Sequence, residues 1–578
     1  MTMTSPIARD QDAIADESDQ PAGPDPAARR GIGRLASRCA GILQNEMTLI
    51  VVLVGSFFGR WMVADRKSYW LDEILSVTVY GVNNDNVVEA VRRLAQGSVH
   101  PPLYQATLYV WMELFGSGER ATRSLSNLYI TLATLFLFLL MRTAFSRGVA
   151  LLSAVAFTLM YTATYYGLET RSYAQTIFLV TLSSYALLLL ARAGRARGWR
   201  AALRSPVSLL FLAANVGLLL THYYNVFFWA AQALVVAVYV LREWPPRRWA
   251  VALAVAAGLY TLQMAIFLAV WGRFLYRTYE RRSDAFAVEG AVRSPWELAQ
   301  SVIAPNIDPP WWLRWLGLAV AAVMIARAVR VLARRRTGAG AGTDVDPADA
   351  GERREAWTTA YLVGWLLAPV FTAYVAFVVT GVARYSPRYW LFIVPALAPL
   401  VVLTVREAVR LAGRALRREP HPGWWVATTL VVIATLILPG TYTAATAGES
   451  NSEWRGTARD IVSIVHSNPD ARYLIFETSF SKPPYLDFYL DRFADDVHVT
   501  ATIRRRAEAG REESSIDRLA PEMRQSDFII VVFIHHGVQD YPRTLARLDA
   551  TYHRYLTQVD EIGRGLVIYS VAPTTTPR

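Results

Sequence analysis

Asp72 and Glu73 stand side by side shortly after the first long apolar run, 47–64, and ahead of His100-Pro101-Pro102-Leu103-Tyr104. Tyr69, Trp70 and Leu71 precede the pair, and such side chains suit the boundary between lipid and water. A carboxylate partly buried at that boundary holds a proton more readily than one in water. That suits a general base for a sugar or lipid hydroxyl. Loop carboxylates are more often simply solvated. Here the position beside a span end, and the apolar stretch 102–115 that follows and can cover the pair, argue for a site. His100 offers a further hydrogen bond or proton, although the two prolines also fit an ordinary helix start.

Three more polar clusters interrupt apolar sequence. Glu169-Thr170-Arg171-Ser172-Tyr173 puts an acid and a base beside Tyr165 and Tyr166, either as a headgroup site or as an ion pair closing a turn. Thr221-His222-Tyr223-Tyr224-Asn225 places a histidine between two apolar runs, where a structural histidine is the commoner case. In Arg384-Tyr385-Ser386-Pro387-Arg388-Tyr389 two arginines frame a short loop and a span start. An arginine there must pair or snorkel, and phosphate is a natural partner because guanidinium binds it bidentately. The bland alternative is contact with bulk lipid headgroups. A carboxylate base beside phosphate-binding arginines at a lipid surface is what a polyprenyl-phosphate sugar donor requires. Phosphate leaves without a general acid if arginines meet its charge, while the base deprotonates the acceptor.

The elements that position these residues follow from composition. The 578 residues are 53% hydrophobic and 18% charged, with the apolar residues gathered into long runs. This marks a polytopic membrane protein. The net charge of +12 does not point to nucleic acid, because the arginines gather in short loops between apolar runs. Eleven runs read as spans: 47–64, 122–143, 149–165, 172–191, 206–221, 225–241, 249–271, 312–332, 357–380, 388–410 and 424–442, of which 206–221 is short and counts because 206–241 carries no formal charge and is long enough for two passes. Residues 102–115 are too short and are expected to lie at the interface. With residues 1–45 as a disordered cytoplasmic tail, not a signal peptide, the arginine-rich loops 142–148, 192–205, 242–248, 333–356 and 407–423 all fall inside. Asp72 then lies outside, on the loop 65–121. The single Cys39 excludes an intramolecular disulfide.

Beyond residue 442 the apolar runs stop, and 443–578 is expected to form a small extracytoplasmic α/β domain. Helical spacing marks 453–467, with helix-like pieces at 484–492 and 542–553, and strand-like runs fall at 472–477, 497–502, 528–534 and 566–571. No phosphate-binding loop signature occurs there. His535-His536 has no evident third ligand and reads as structural.

The order of these motifs resembles the GT-C superfamily of membrane glycosyltransferases, in particular the bacterial protein-mannosyltransferase-like and aminoarabinose-transferase-like branch. The resemblance spans roughly 47–442. It implies a multi-pass enzyme of a bacterial-type inner membrane that takes a sugar from a polyprenyl-phosphate donor to a glycan, lipid or protein acceptor, with inversion. It places Asp72 as the catalytic acid residue of the first outer loop with Glu73 beside it. Substrate contacts would come from His100, Tyr104, Glu169, Arg171, Tyr173, His222, Arg384, Arg388 and Tyr389. No cofactor is required by it. The second loop has one acid rather than an Asp-x-Asp pair, so a divalent metal lacks support. The Trp-Trp-Asp-Tyr-Gly motif of oligosaccharyltransferases does not occur after residue 442. A transporter or flippase for a lipid-linked sugar would instead show mid-bilayer charges and internal repeats, and a non-catalytic scaffold would leave Asp72 and the arginines unexplained.

Overall fold

The computed structural model describes residues 45–98, 100–244, 246–281, 295–334, 347–380, 387–417, 422–446, 454–477, 485–493, 502–506, 525–532, 556–562 and 566–571. Among them, eight helices are long and apolar enough to cross a membrane: Glu119–Arg142, Tyr173–Arg197, Asn225–Glu243, Pro246–Arg277, Trp311–Ala333, Asp349–Val379, Pro387–Ala415 and Gly423–Thr446. A ninth is the pair Arg147–Thr158 and Tyr161–Gly167, bent by 55°. Two shorter apolar helices, Met47–Val63 and Pro206–Leu219, complete the set. Every run expected to span is thus helical. The stretch 102–115 forms the helix Leu103–Phe115. Residues 1–44 lie outside the described set.

The bend between Arg147–Thr158 and Tyr161–Gly167 frees backbone groups that lipid cannot satisfy. Arg60, 5% exposed, donates to the Thr158 carbonyl at 3.1 Å and to its hydroxyl at 3.0 Å. Asn306 Oδ1 accepts the Thr162 N–H at 2.9 Å. Elsewhere the helices are joined by uncharged polar groups. Gln232 Oε1 accepts from Tyr260 at 3.1 Å, and its Nε2 donates to Ser183 at 3.0 Å and to Tyr361 at 3.2 Å.

The first loop is a folded unit. Asp72 and Glu73 occupy the first turn of Leu71–Val77. The chain then kinks at Gly81, where a Cβ would meet Met112 Cε at 2.6 Å and the Ser76 carbonyl at 3.0 Å. This close approach lets Gln105 Nε2, on Leu103–Phe115, donate to the Ser76 and Tyr80 carbonyls, each at 2.7 Å. The Leu103 N–H donates to the Leu220 carbonyl at 3.0 Å, which brings residues 100–103 against the turn 220–224.

The C-terminal part holds a five-stranded sheet of β1 (Tyr473–Glu477), β2 (Thr502–Arg506), β3 (Phe528–Val532), β4 (Leu556–Ile562) and β5 (Leu566–Val571). Its order is β2-β1-β3-β5-β4. The first three strands run parallel, and β5 and β4 are antiparallel additions. The helix Trp454–Ser467 buries Trp454, Ala458, Ile461 and Val465, the helical spacing read from sequence. Two sequence expectations shift. The second strand lies at Thr502–Arg506, later than 497–502, and β4 was not foreseen, because Leu-Thr-Gln-Val-Asp-Glu-Ile has the mixed polarity of an edge strand. The helix expected at 542–553 and His535-His536 lie outside the described residues.

Glu119, 6% exposed, ties this part to the helical bundle. It accepts from Tyr489 at 2.9 Å and pairs with Arg455 at 3.4 Å and Arg492 at 3.7 Å. The Tyr489 hydroxyl also accepts the Tyr69 N–H at 2.7 Å. Tyr489→Phe leaves both partners short of a bond and should lower stability by about 1–3 kcal/mol. Hydrogen exchange at the Tyr69 amide, measured on the detergent-solubilised chain, should quicken accordingly.

Candidate active site

Successive residues on a helix point about 100° apart, so the two neighbouring carboxylates enter different surroundings. Glu73 turns inward. Its carboxylate receives Arg123 Nε at 2.9 Å and Nη2 at 2.7 Å, and both side chains are fully buried. The backbone N–H groups of Thr170, at 2.7 Å, and Trp70, at 3.2 Å, complete its shell. Burial pushes the Glu73 carboxyl up, but the Arg123 charge and hydrogen bonds, Lys67 and the Thr170 N–H together hold it below the usual range. Both oxygens are therefore engaged. Glu73, expected as a catalytic partner of Asp72, is by geometry a residue that positions the loop.

Asp72 faces outward with its side chain 23% exposed. Arg171 Nη2 lies 3.5 Å from Oδ2, and Arg388 Nη1 lies 3.6 Å from the same oxygen. Arg171 is held by its other bonds, donating to the Asp72 carbonyl at 3.2 Å, Ser76 Oγ at 3.1 Å and His100 Nε2 at 3.1 Å. Arg388 is sandwiched between Trp70, 5.4 Å from its ring centre, and Tyr389, at 5.7 Å. Two loops and one span start thus converge on one carboxylate.

Aromatic rings wall the site. The His222 ring centre lies 5.5 Å from His100, 5.0 Å from Tyr389 and 6.3 Å from Tyr173. Burial, with the nearby charges of Arg171 and Arg388, pushes His222 down to about 3, so it is a neutral imidazole. Its Nδ1 accepts the Tyr224 N–H at 3.3 Å. Tyr104 is buried behind this wall and lines a small pocket together with His100, Arg171, Ser76 and Thr221. Arg384 lies outside the described residues.

Glu169 is 3% exposed and sits among Tyr161, Tyr165, Tyr166 and Lys67 rather than on Asp72. Burial raises it to about 7, against the pull of the Lys67 charge. Lys67 is itself held below its ordinary value by burial, and its ammonium lies 4.7 Å from the Tyr165 ring centre. The sequence reading passed over both Arg123 and Lys67. Lys67 carried a usable signal, being one of two lysines in an arginine-rich chain and close to Asp72. Among the described residues no group of three or more His, Cys, Asp or Glu could hold a metal ion.

Residues 99–272 match the family described as dolichyl-phosphate-mannose-protein mannosyltransferase. The matched stretch carries His100, Tyr104, Glu169, Arg171, Tyr173 and His222. That stretch is similar to a family of membrane glycosyltransferases and makes up less than a third of the chain. No curated protein matches it. Among solved structures, the chain is similar to ArnT from Cupriavidus metallidurans in the apo state, at 15% identity over 92% of this chain and 99% of that one, with a TM-score of 0.48. The same protein bound to undecaprenyl phosphate gives 15%, 92%, 100% and 0.47. The archaeal oligosaccharyltransferase AglB from Archaeoglobus fulgidus, in complex with an inhibitory peptide and a dolichol-phosphate, gives 12%, 91%, 75% and 0.39.

Two outcomes check this arrangement. Glu73→Gln strands the buried Arg123 charge and should lower stability by about 3–5 kcal/mol, whereas Asp72→Asn should change it by less than about 1 kcal/mol. Apparent melting temperatures of the two solubilised variants compare them directly. Because the folded Glu169 carboxyl binds its proton up to about 7, against an ordinary 4.5, the folded state holds the extra proton in that window. Wild-type stability should therefore fall as pH rises from 4.5 to 7, and Glu169→Gln should flatten that fall.

Proposed function

We propose that the chain moves a sugar from a polyprenyl-phosphate carrier to an acceptor hydroxyl at the outer face of a bacterial-type inner membrane, with inversion and with Asp72 as general base. The observation that carries this reading is the contact of one partly exposed carboxylate with two guanidinium groups inside an aromatic wall. Asp72 supplies a base, Arg171 and Arg388 supply a phosphate clamp, and His100, Tyr173, His222 and Tyr389 supply faces against which a sugar ring packs.

In the unloaded chain the arginines rest on Asp72 Oδ2. A carrier phosphodiester offers them two free oxygens in bidentate geometry and gains negative charge as the sugar leaves, so they transfer to it and leave the carboxylate free. The acceptor hydroxyl then gives its proton to Asp72, and its oxygen bonds to the anomeric carbon. The bond from that carbon to the phosphate oxygen breaks, and polyprenyl phosphate leaves with the electron pair. Arg171 and Arg388 meet the developing charge, so no general acid is needed. The carbon passes through an oxocarbenium-like state attacked from the face opposite the leaving group. Neutral His222 adds no charge to compete for the phosphate.

In this reading the N-terminal tail is cytoplasmic, and the C-terminal part, 443–578, is extracytoplasmic and holds the acceptor beside the loop 65–121. The docking of Tyr489, Arg455 and Arg492 on Glu119 supports that placement. Release of polyprenyl phosphate from a panel of polyprenyl-phosphate sugars, by the purified full chain in nanodiscs, tests the mechanism. Asp72→Asn should slow release about a hundredfold to ten-thousandfold with the fold intact. Equal release by the folded variant would remove Asp72 from the mechanism.

A further inference from the structure

The bundle end remote from Asp72 holds a second feature that sugar transfer does not use. An apolar pocket opens between the helices Tyr173–Arg197, Trp199–Leu203, Pro206–Leu219, Asn225–Glu243, Trp249–Phe267 and Pro347–Thr380. Leu190, Phe211, Val236 and Leu259 line it. Toward the bilayer centre it reaches Tyr260 and Tyr361, the hydroxyls that hydrogen-bond Gln232. At the other end Trp199, Trp244 and Trp357 line it, where helices leave the membrane. Tyr173 and Leu190 lie at opposite ends of one helix, seventeen residues or roughly 25 Å apart, so this cavity is remote from the Asp72 site.

The segments that connect helices at this end are strongly basic. Residues 192–205 and 242–248 contain eight arginines against one acid, Glu243. Glu243 is already occupied by Arg195, Arg353 and the Trp357 indole N–H. Arg200, Arg242 and Arg247 are exposed, and among the described residues no carboxylate pairs with them. An apolar cavity beside lipid fills with a hydrocarbon chain rather than water, and a basic rim at headgroup level selects a negative headgroup.

We propose that the cavity seats an acyl chain of an anionic glycerophospholipid from the leaflet opposite Asp72, with the lipid phosphate held among Arg200, Arg242 and Arg247. The sugar carrier is not the occupant. It has a single phosphate site, and when that site is engaged by Arg171 and Arg388 it cannot also reach a rim some 25 Å away. The bound phospholipid bridges three connecting segments and ties the helices below the Gln232 network.

Native mass spectrometry of the full chain in detergent, titrated with phosphatidylglycerol and with phosphatidylcholine of the same acyl chains, tests this. Each arginine near the headgroup favours the anionic lipid about fivefold, so phosphatidylglycerol should be retained at least about tenfold better. R200Q/R242Q/R247Q should abolish that preference, and Ala256→Trp, which fills the cavity, should cut retention of both lipids. Neither variant touches the transfer site, so carrier release at the Asp72 end reports that the fold is intact. If Ala256→Trp does not fold, the exposed arginine variant decides alone. Equal retention of the two lipids by the wild type, or a preference that survives the arginine substitutions, overturns the proposal. So does undecaprenyl phosphate that displaces phosphatidylglycerol and loses its own binding in the arginine variant.

Discussion

The buried pair of Arg123 and Glu73 is the constraint on which the Asp72 end of the molecule rests. Taking two charges out of water is expensive, and a buried pair is stable only when the remaining donors and lone pairs are also met. Here they are. Arg123 uses its five N–H groups on Glu73 and on the carbonyls of Ala64, Lys67 and Ser68. Glu73 in return gathers the N–H groups of Trp70 and Thr170. One ion pair therefore closes the chain as it leaves its first helix, pins it to the start of Glu119–Arg142 and anchors the loop that carries Arg171.

From that closure the geometry of Asp72 follows. With Glu73 turned into the bundle, the preceding side chain faces out toward the turn that Thr170 has brought near. Arg171 is aimed by the Asp72 carbonyl, Ser76 and His100, and Arg388 by its stacking between Trp70 and Tyr389. The two guanidinium groups are thus held in part by the same loop that carries the Asp72 carboxylate. This is how a site drawn from residues hundreds of positions apart keeps its dimensions.

Much of this was legible in the amino-acid order, for physical reasons. Apolar runs must become helices in lipid, so the spanning segments showed themselves by length alone. Polar residues interrupting such runs at the ends had to be either capped or used, and Asp72, Arg171, His222 and Arg388 stood out on that ground. What could not be read was partner choice. Nothing in the spacing said that Glu73 would find Arg123 and leave Asp72 exposed, because the pairing spans fifty residues and depends on helix rotation. Lys67 was passed over because a lone lysine in a loop reads as solvated. The edge strand Leu556–Ile562 was missed because its mixed polarity lacks a strong apolar signature.

The length of one helix carries a consequence for the lipid around the enzyme. Pro206–Leu219 has 14 residues and so rises only about 21 Å, against roughly 30 Å of hydrocarbon in an ordinary bilayer. Local thinning of the membrane is one way such a shortfall is met, beside snorkelling of flanking residues. Where thinning meets it, the turns at 198–205 and 220–224 would draw the two headgroup planes toward each other along this side of the protein. In a bilayer thinned that way, His222 and its neighbours would lie at the bottom of a surface depression. A lipid headgroup diffusing in the plane would enter that depression without leaving its leaflet or dragging its tail into water.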